Sequence, residues 1–193
     1  MMITLTGFMG SGKTTVGKVL ADFLGCPFMD LDDLVVKKAG KSIPDIFAQD
    51  GEPAFRELEA QVLRKTVAKY AESTAVLALG GGAVLAPASA ALLQEKTVCI
   101  YLRATLDTLL ARLAGETAGR PLLQEIPGQA RTDGSGEVGD DGGSVVMPGP
   151  DRASVAERLA SREPIYEKTA HVIIDTDGLS PDEVADEIII SAL

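Results

Sequence analysis

The sequence has no tryptophan, a single histidine and two cysteines, and aromatic residues make up only 4% of it. Cys26 and Cys99 stand far apart, with no Cys-x-x-Cys spacing and no Cys/His cluster, which argues against a zinc site or a disulfide scaffold. They read as reduced thiols packed in the core, in a reducing compartment. No apolar run is long enough to span a membrane, and the first residues carry neither a basic n-region nor a cleavable apolar stretch. A cytoplasmic protein with no membrane partner is expected, and a monomer is the default. Cations are also scarce: 18 Lys and Arg face 28 Asp and Glu, a formal charge of -10. Such a surface repels a nucleic-acid backbone, so no nucleic-acid partner is expected. His171 has no partner motif around it and reads as a strand-edge residue.

What is present is a hydrophobic fraction of 46%, enough for a buried core built from Ala, Val, Leu and Ile. Short apolar runs alternate with helical patterns. Strands are expected at Ile3 to Thr6, Cys26 to Leu31, Ala75 to Leu79, Val98 to Leu102 and Val172 to Asp175. Helices are expected at 13–24, with Val16, Val19, Leu20 and Phe23 inward, and at 34–39, at Ser42 to about Gly51, and at 52–72. Further helices are expected at 89–93, 105–114, 153–168 and from Ser180-Pro181 onward. Strands of four to six residues separated by helices predict an α/β fold, a mainly parallel sheet covered on both faces. The stretch EIPGQARTDGSGEVGDDGGSVVMPGP at 125–150 breaks this rhythm. Rich in Gly, Asp, Ser and Pro, it reads as a surface loop inserted into a single domain spanning 1–193.

Two motifs carry chemistry. GFMGSGKT, Gly7 to Thr14, fits G-x-x-x-x-G-K-[ST] between a strand and a helix. Its glycines let successive backbone N–H groups turn inward on phosphate oxygens, and the helix after it adds the positive end of its dipole. Lys13 is placed to neutralise β- and γ-phosphate charge, and the Thr14 hydroxyl to bind Mg²⁺. The second motif is Met29-Asp30-Leu31-Asp32-Asp33 at the carboxyl end of the second strand, the edge where open α/β sheets bind ligands. On a strand Asp30 and Asp32 share a face; Asp30 suits water-mediated Mg²⁺ binding and Asp32 suits accepting a proton from a hydroxyl. The same residues also suit capping of the following helix.

Taken in chain order, GFMGSGKTTVGKVLA, DLDDLVVKKAGKSIPDIFAQDGEPAFRELE, LALGGGAVL, GRPLL and REPIYEKTAHVIIDT resemble the shikimate kinase family. The resemblance covers nearly the whole chain except 125–150. It implies a three-layer α/β/α fold with a five-stranded parallel sheet and a lid, here around 113–124. The implied activity is transfer of the γ-phosphoryl group of ATP to the 3-hydroxyl of shikimate, giving shikimate 3-phosphate and ADP, with Mg²⁺. The resemblance assigns Lys13, Asp32 and Arg120 to catalysis, and Thr14 and Asp30 to the metal. It assigns Gly10, Ser11, Gly12, Lys13, Thr14, Thr15, Arg112, Arg120 and Pro181 to ATP. Asp32, Arg56, Glu59, Gly80, Gly81, Gly82 and Arg162 fall to shikimate, with Phe47 and Phe55 as an apolar wall. A gluconate-type small-molecule kinase and a non-catalytic nucleotide-binding domain are the alternatives.

Overall fold

The computed structural model describes residues 1–117 and 151–192. The elements run β1 (Met2–Thr6), α1 (Lys13–Leu24), β2 (Phe28–Asp30), α2 (Leu31–Ala39), α3 (Ile43–Lys69) and β3 (Ala75–Ala78). A 3₁₀ turn (Ala83–Leu85) leads into α4 (Pro87–Lys96), β4 (Val98–Arg103) and α5 (Leu106–Thr117), then α6 (Arg152–Thr169), β5 (Val172–Asp175) and α7 (Pro181–Ala192). The five strands pair in parallel in the order β2-β3-β1-β4-β5.

Strand residues alternate between two cores, as a period of two requires. Ile3, Leu5, Ile100 and Leu102 pack with α1 and α7 on one face, while Met2, Cys99 and Tyr101 pack with α3, α4 and α6 on the other. β1 and β3 are neighbours, yet the helices that follow them, α1 and α4, lie on opposite faces. The chain therefore opens a crevice at the carboxyl ends of β1 and β3, the switch point where such sheets bind ligands.

Two expectations need correction. Phe23 is 67% exposed, and the buried side of α1 is Val16, Gly17, Leu20 and Ala21. Gly17 lies at the closest approach to the sheet: a Cβ there would stand 2.6 Å from the Phe28 ring. The glycine centres the inward stripe and rotates Phe23 out of it. The second correction concerns Leu31 and Asp32, which are not strand residues. Asp30 ends β2 and caps α2, its carboxylate accepting from the Asp32 N–H at 3.0 Å, so helix begins at Leu31.

Other local signals act as their chemistry dictates. Ser42 caps α3, and Gly51 at φ 82°, ψ 168° divides that helix into the two arms expected from the sequence. Ser180 and Glu183 exchange bonds between side chain and backbone at the start of α7, a reciprocal capping box. His171 accepts the Cys99 N–H on Nδ1 at 3.0 Å, so its Nε2 carries the proton and donates to the Gln94 carbonyl, also at 3.0 Å. The ring thus ties β5 to β4 and α4. Cys99 is buried, but Cys26 is only partly so, and both thiols are free. Among the described residues no helix is long and apolar enough to cross a membrane.

Candidate active site

The loop from Gly7 to Gly12 joins β1 to α1 through three glycines with positive φ: Gly7 at 144°, Gly10 at 79° and Gly12 at 90°. Gly7 is also sterically required, since a Cβ there would meet the Leu102 carbonyl oxygen at 2.6 Å. The loop curls around the Lys13 ammonium, which donates to the carbonyls of Gly7 at 3.0 Å and Phe8 at 2.7 Å. At the first turn of α1 the Thr14 hydroxyl donates to Asp30 Oδ2 at 2.9 Å. A hydroxyl and a carboxylate, both hard oxygen ligands, therefore meet beside the phosphate-type loop.

A cavity of about 310 Å³ opens beside this loop. Gly10, Ser11, Gly12 and Thr15 line it from the loop, and Arg112, Thr176 and Pro181 from α5 and the β5–α7 segment. The Arg112 guanidinium is fixed at its wall by Thr176, donating to Oγ1 at 3.0 Å and to the carbonyl at 2.8 Å. The neighbours of Thr176 are anchored too. Asp175 takes a two-point grip from Arg103, at 2.6 and 2.9 Å, and Asp177 accepts from the Thr105 N–H and hydroxyl ahead of α5.

A second cluster forms at the end of β3. A Cβ on Gly80 would lie 2.8 Å from Asp32 Oδ1 and 3.1 Å from Glu59 Oε1, so both carboxylates converge on that backbone. One turn before Glu59, Arg56 donates to Glu59 Oε2 at 3.0 Å and to the more exposed Glu52 Oε1 at 3.2 Å. The Arg56 fork also crowds Gly82, where a Cβ would stand 2.6 Å from Nη1. Its charge lies 5.1 Å from the centre of the Phe55 ring, and that ring stacks on Phe47 at 4.7 Å. Phe55 is buried and Phe47 half-buried, so this pair serves the core as well as the cluster.

The two clusters form one site. A Cβ on Gly81 would sit 3.5 Å from the Gly7 carbonyl oxygen and 3.7 Å from the Tyr166 hydroxyl, so the glycine triplet joins the loop to α6. From α6 the Arg162 guanidinium stands 5.9 Å from the centre of the Phe8 ring. Electrostatics agree with that proximity. Burial, then the neighbouring Asp30 charge, hold the Asp32 carboxyl above the usual range, while Lys13 and Arg56 pull it down. Burial likewise raises Glu59 against the pull of Arg56. Burial opposes the charge on Arg56, but Glu59 and Glu52 outweigh it and hold the guanidinium protonated.

The family model described as Shikimate kinase matches residues 9–192. A shikimate kinase of Salinibacter ruber is 42% identical over 177 residues, covering 92% of this chain and 78% of that one. The chain belongs to the shikimate kinase family. Other relatives carry the same name, shikimate kinase. One of them, from Enterococcus faecalis, is 38% identical over 97% of this chain and 95% of its own. A solved structure titled as the Acinetobacter baumannii shikimate kinase in complex with shikimate superimposes with a TM-score of 0.76. It is 32% identical and covers 97% of this chain and 90% of that one.

Against the residues expected from the shikimate kinase resemblance, Gly10, Ser11, Gly12, Thr15, Arg112 and Pro181 meet around the cavity. Asp32, Arg56, Glu59 and the glycine triplet meet at the end of β3. Arg120, the part of the lid region after Thr117 and the 125–150 insertion lie outside the described residues. Two contributors escaped the sequence reading. Thr176 holds Arg112, and its signal was its place just past the carboxyl end of β5. Tyr166 touches the triplet, and its signal was its place one helical turn after Arg162.

Proposed function

We propose that this chain phosphorylates the 3-hydroxyl of shikimate with ATP, releasing shikimate 3-phosphate and ADP, on the route to chorismate and the aromatic amino acids. The triphosphate lies along Gly10 to Thr15, with the base in the cavity between Arg112 and Pro181. The shikimate ring rests against Phe47 and Phe55. Arg56 and Arg162 take its carboxylate, for which a planar guanidinium fork is suited. Asp32 orients the attacking hydroxyl and accepts its proton as the new O–P bond forms and the bond from γ-phosphorus to the bridging oxygen breaks. Lys13 offsets the charge that develops on the phosphoryl oxygens, and Arg120 is assigned the same task by resemblance.

Magnesium fits the residues present. The Thr14 hydroxyl and the Asp30 carboxylate, 2.9 Å apart, are the hard oxygen ligands Mg²⁺ prefers. Among the described residues no group of three or more His, Cys, Asp or Glu forms a cage, which suits an ion that takes most of its ligands from phosphate and water. Bound there, Mg²⁺ would supply charge neutralisation across the β- and γ-phosphates.

One observation carries the reading: the Asp32, Glu59 and Arg56 cluster and the phosphate-type loop flank the same glycine triplet. A nucleotide-binding domain without catalysis has no use for buried carboxylates there, and the Arg56 fork suits an acceptor that carries a carboxylate, as shikimate and gluconate both do. The test is ATP consumption with shikimate, with gluconate and with no acceptor. Shikimate alone should stimulate turnover; stimulation by gluconate instead, or none, refutes the proposal. The cytoplasmic, monomeric state belongs to the same proposal, and sedimentation at micromolar concentration checks the second half of it.

A further inference from the structure

Tyr166 has no role in the chemistry above, yet it is fully buried and its hydroxyl points at the site. The hydroxyl donates to the Gly81 carbonyl oxygen at 2.5 Å, and the Arg162 guanidinium faces the same hydroxyl from one turn earlier on α6. The ring is held from behind by Tyr101, 5.2 Å between centroids. One side chain thus joins three parts of the site: α6 with Arg162, the glycine triplet, and through Gly81 the loop at Gly7 and Met9.

A planar trans peptide links the direction of one carbonyl to that of the next amide, because C=O and N–H point opposite ways. Fixing the Gly81 carbonyl on Tyr166 therefore aims the Gly82 N–H away from α6. Glycines have no side chain to hold that plane, and the peptide would otherwise be free to rotate. Among the described residues the Gly82 N–H has no backbone acceptor, although the turn satisfies its neighbours: Ala83 N–H bonds Gly80, and Leu85 N–H bonds Gly82. A donor with no backbone acceptor among the described residues, beside the Arg56 fork, suits an oxygen of the ligand.

We propose that Tyr166 is a positioning residue: by gripping the Gly81 carbonyl it presents the Gly82 N–H to an oxygen of the hydroxy-acid substrate and keeps Arg162 in register. The inference rests on the shikimate reading, and its test keeps the two apart. Tyr166→Phe leaves the ring on Tyr101 and removes only the grip. The KM and calorimetric Kd for shikimate should rise about tenfold, the effect of losing one well-placed hydrogen bond, while the KM for ATP stays within about twofold. A merely structural hydroxyl would lower Tm and leave the ratio of the two KM values unchanged, which would overturn the proposal. In wild-type protein the Gly82 amide resonance should move on titration with shikimate and not with ATP. That measurement decides the matter if the variant does not fold, and an unmoved Gly82 resonance alongside tight binding also overturns it. Absence of shikimate binding to wild-type protein would instead refute the parent reading.

Discussion

Replacing Gly80 with alanine tests whether the carboxylate cluster is as tightly packed as its distances imply. The backbone at Gly80 is not in the left-handed region, so alanine has no conformational objection there. The objection is steric. The new methyl group would lie 2.8 Å from Asp32 Oδ1 and 3.1 Å from Glu59 Oε1, short of ordinary contact by about half an ångström at the closer oxygen. Glu59 is held by Arg56 and Asp32 sits in the first turn of α2, so neither recedes freely. Overpacking of this kind costs about 1–3 kcal/mol, and the stiffer unfolded chain returns about 0.4–1 kcal/mol. For a protein of this size each kcal/mol moves Tm by about 2–4 °C, so a loss of several degrees is expected. Catalysis should suffer as well. A 1 Å misplacement costs on the order of 10²-fold, and half of that about tenfold in kcat. Gly81→Ala is the control: its nearest neighbours, 3.5 to 3.8 Å away, are ordinary contacts, and Tm should hold within about 2 °C. Differential scanning calorimetry and a coupled ADP assay on both variants decide it. Equal Tm for the two would refute the crowding argument.

Arg56→Lys keeps the charge and loses the fork, so the KM for shikimate should rise about 10- to 100-fold with little change for ATP in steady-state assays. Thr176→Val removes one acceptor of Arg112, and the KM for ATP should rise about 2- to 10-fold at constant kcat, whereas Thr176→Ser should restore it. Asp32→Asn should lower kcat by about 10²–10⁴-fold and yet raise Tm at neutral pH. The sign follows from linkage: burial raises the folded pKa of Asp32, so its contribution to stability is present below the unfolded value and lost as pH rises through the folded one. The Tm advantage of the variant should therefore shrink as pH falls toward 4, and a variant less stable at neutral pH would contradict the burial argument.

Sequence reasoning worked best where a motif fixes its own geometry. The strand-loop-helix around Gly7 to Thr14 falls where the glycine spacing puts it, because three positive-φ turns leave the chain few other paths. It worked less well where glycine acts as a buried residue. A hydrophobicity count gives Gly17 no weight, yet Gly17 lets α1 sit on Phe28 and decides that Phe23 faces solvent. The Asp30-Leu31-Asp32 stretch failed for a different reason. Strand and helix-cap readings compete at such a boundary, and the Asp30 carboxylate on the Asp32 N–H settled it in favour of helix. The strand order, and with it the meeting of the β3 glycines with the β1 loop, depends on long-range pairing that no local pattern encodes. The contacts of Tyr166 and Thr176 were out of reach for the same reason, being bonds across 85 and 64 residues of chain.

A chain with an excess of ten negative charges must still receive two anionic ligands, and Arg56 shows how the site can resolve that conflict. Its guanidinium is flanked by two glutamates of very different standing. The Glu59 side chain is 5% exposed, and breaking that pair would strand a buried charge. The Glu52 side chain is 57% exposed and lies one turn away, the kind of pair worth about 0.2–1 kcal/mol. On the proposed reading, in which Arg56 takes the substrate carboxylate, that carboxylate competes with Glu52 and leaves Glu59 in place as the anchor that orients the fork. Glu52→Gln should then lower the KM for shikimate by up to about fivefold at low salt, the advantage fading as ionic strength rises and screens the competitor. A higher KM in that variant would mean that Glu52 aligns the guanidinium instead of occupying it, and the fork would then depend on both carboxylates.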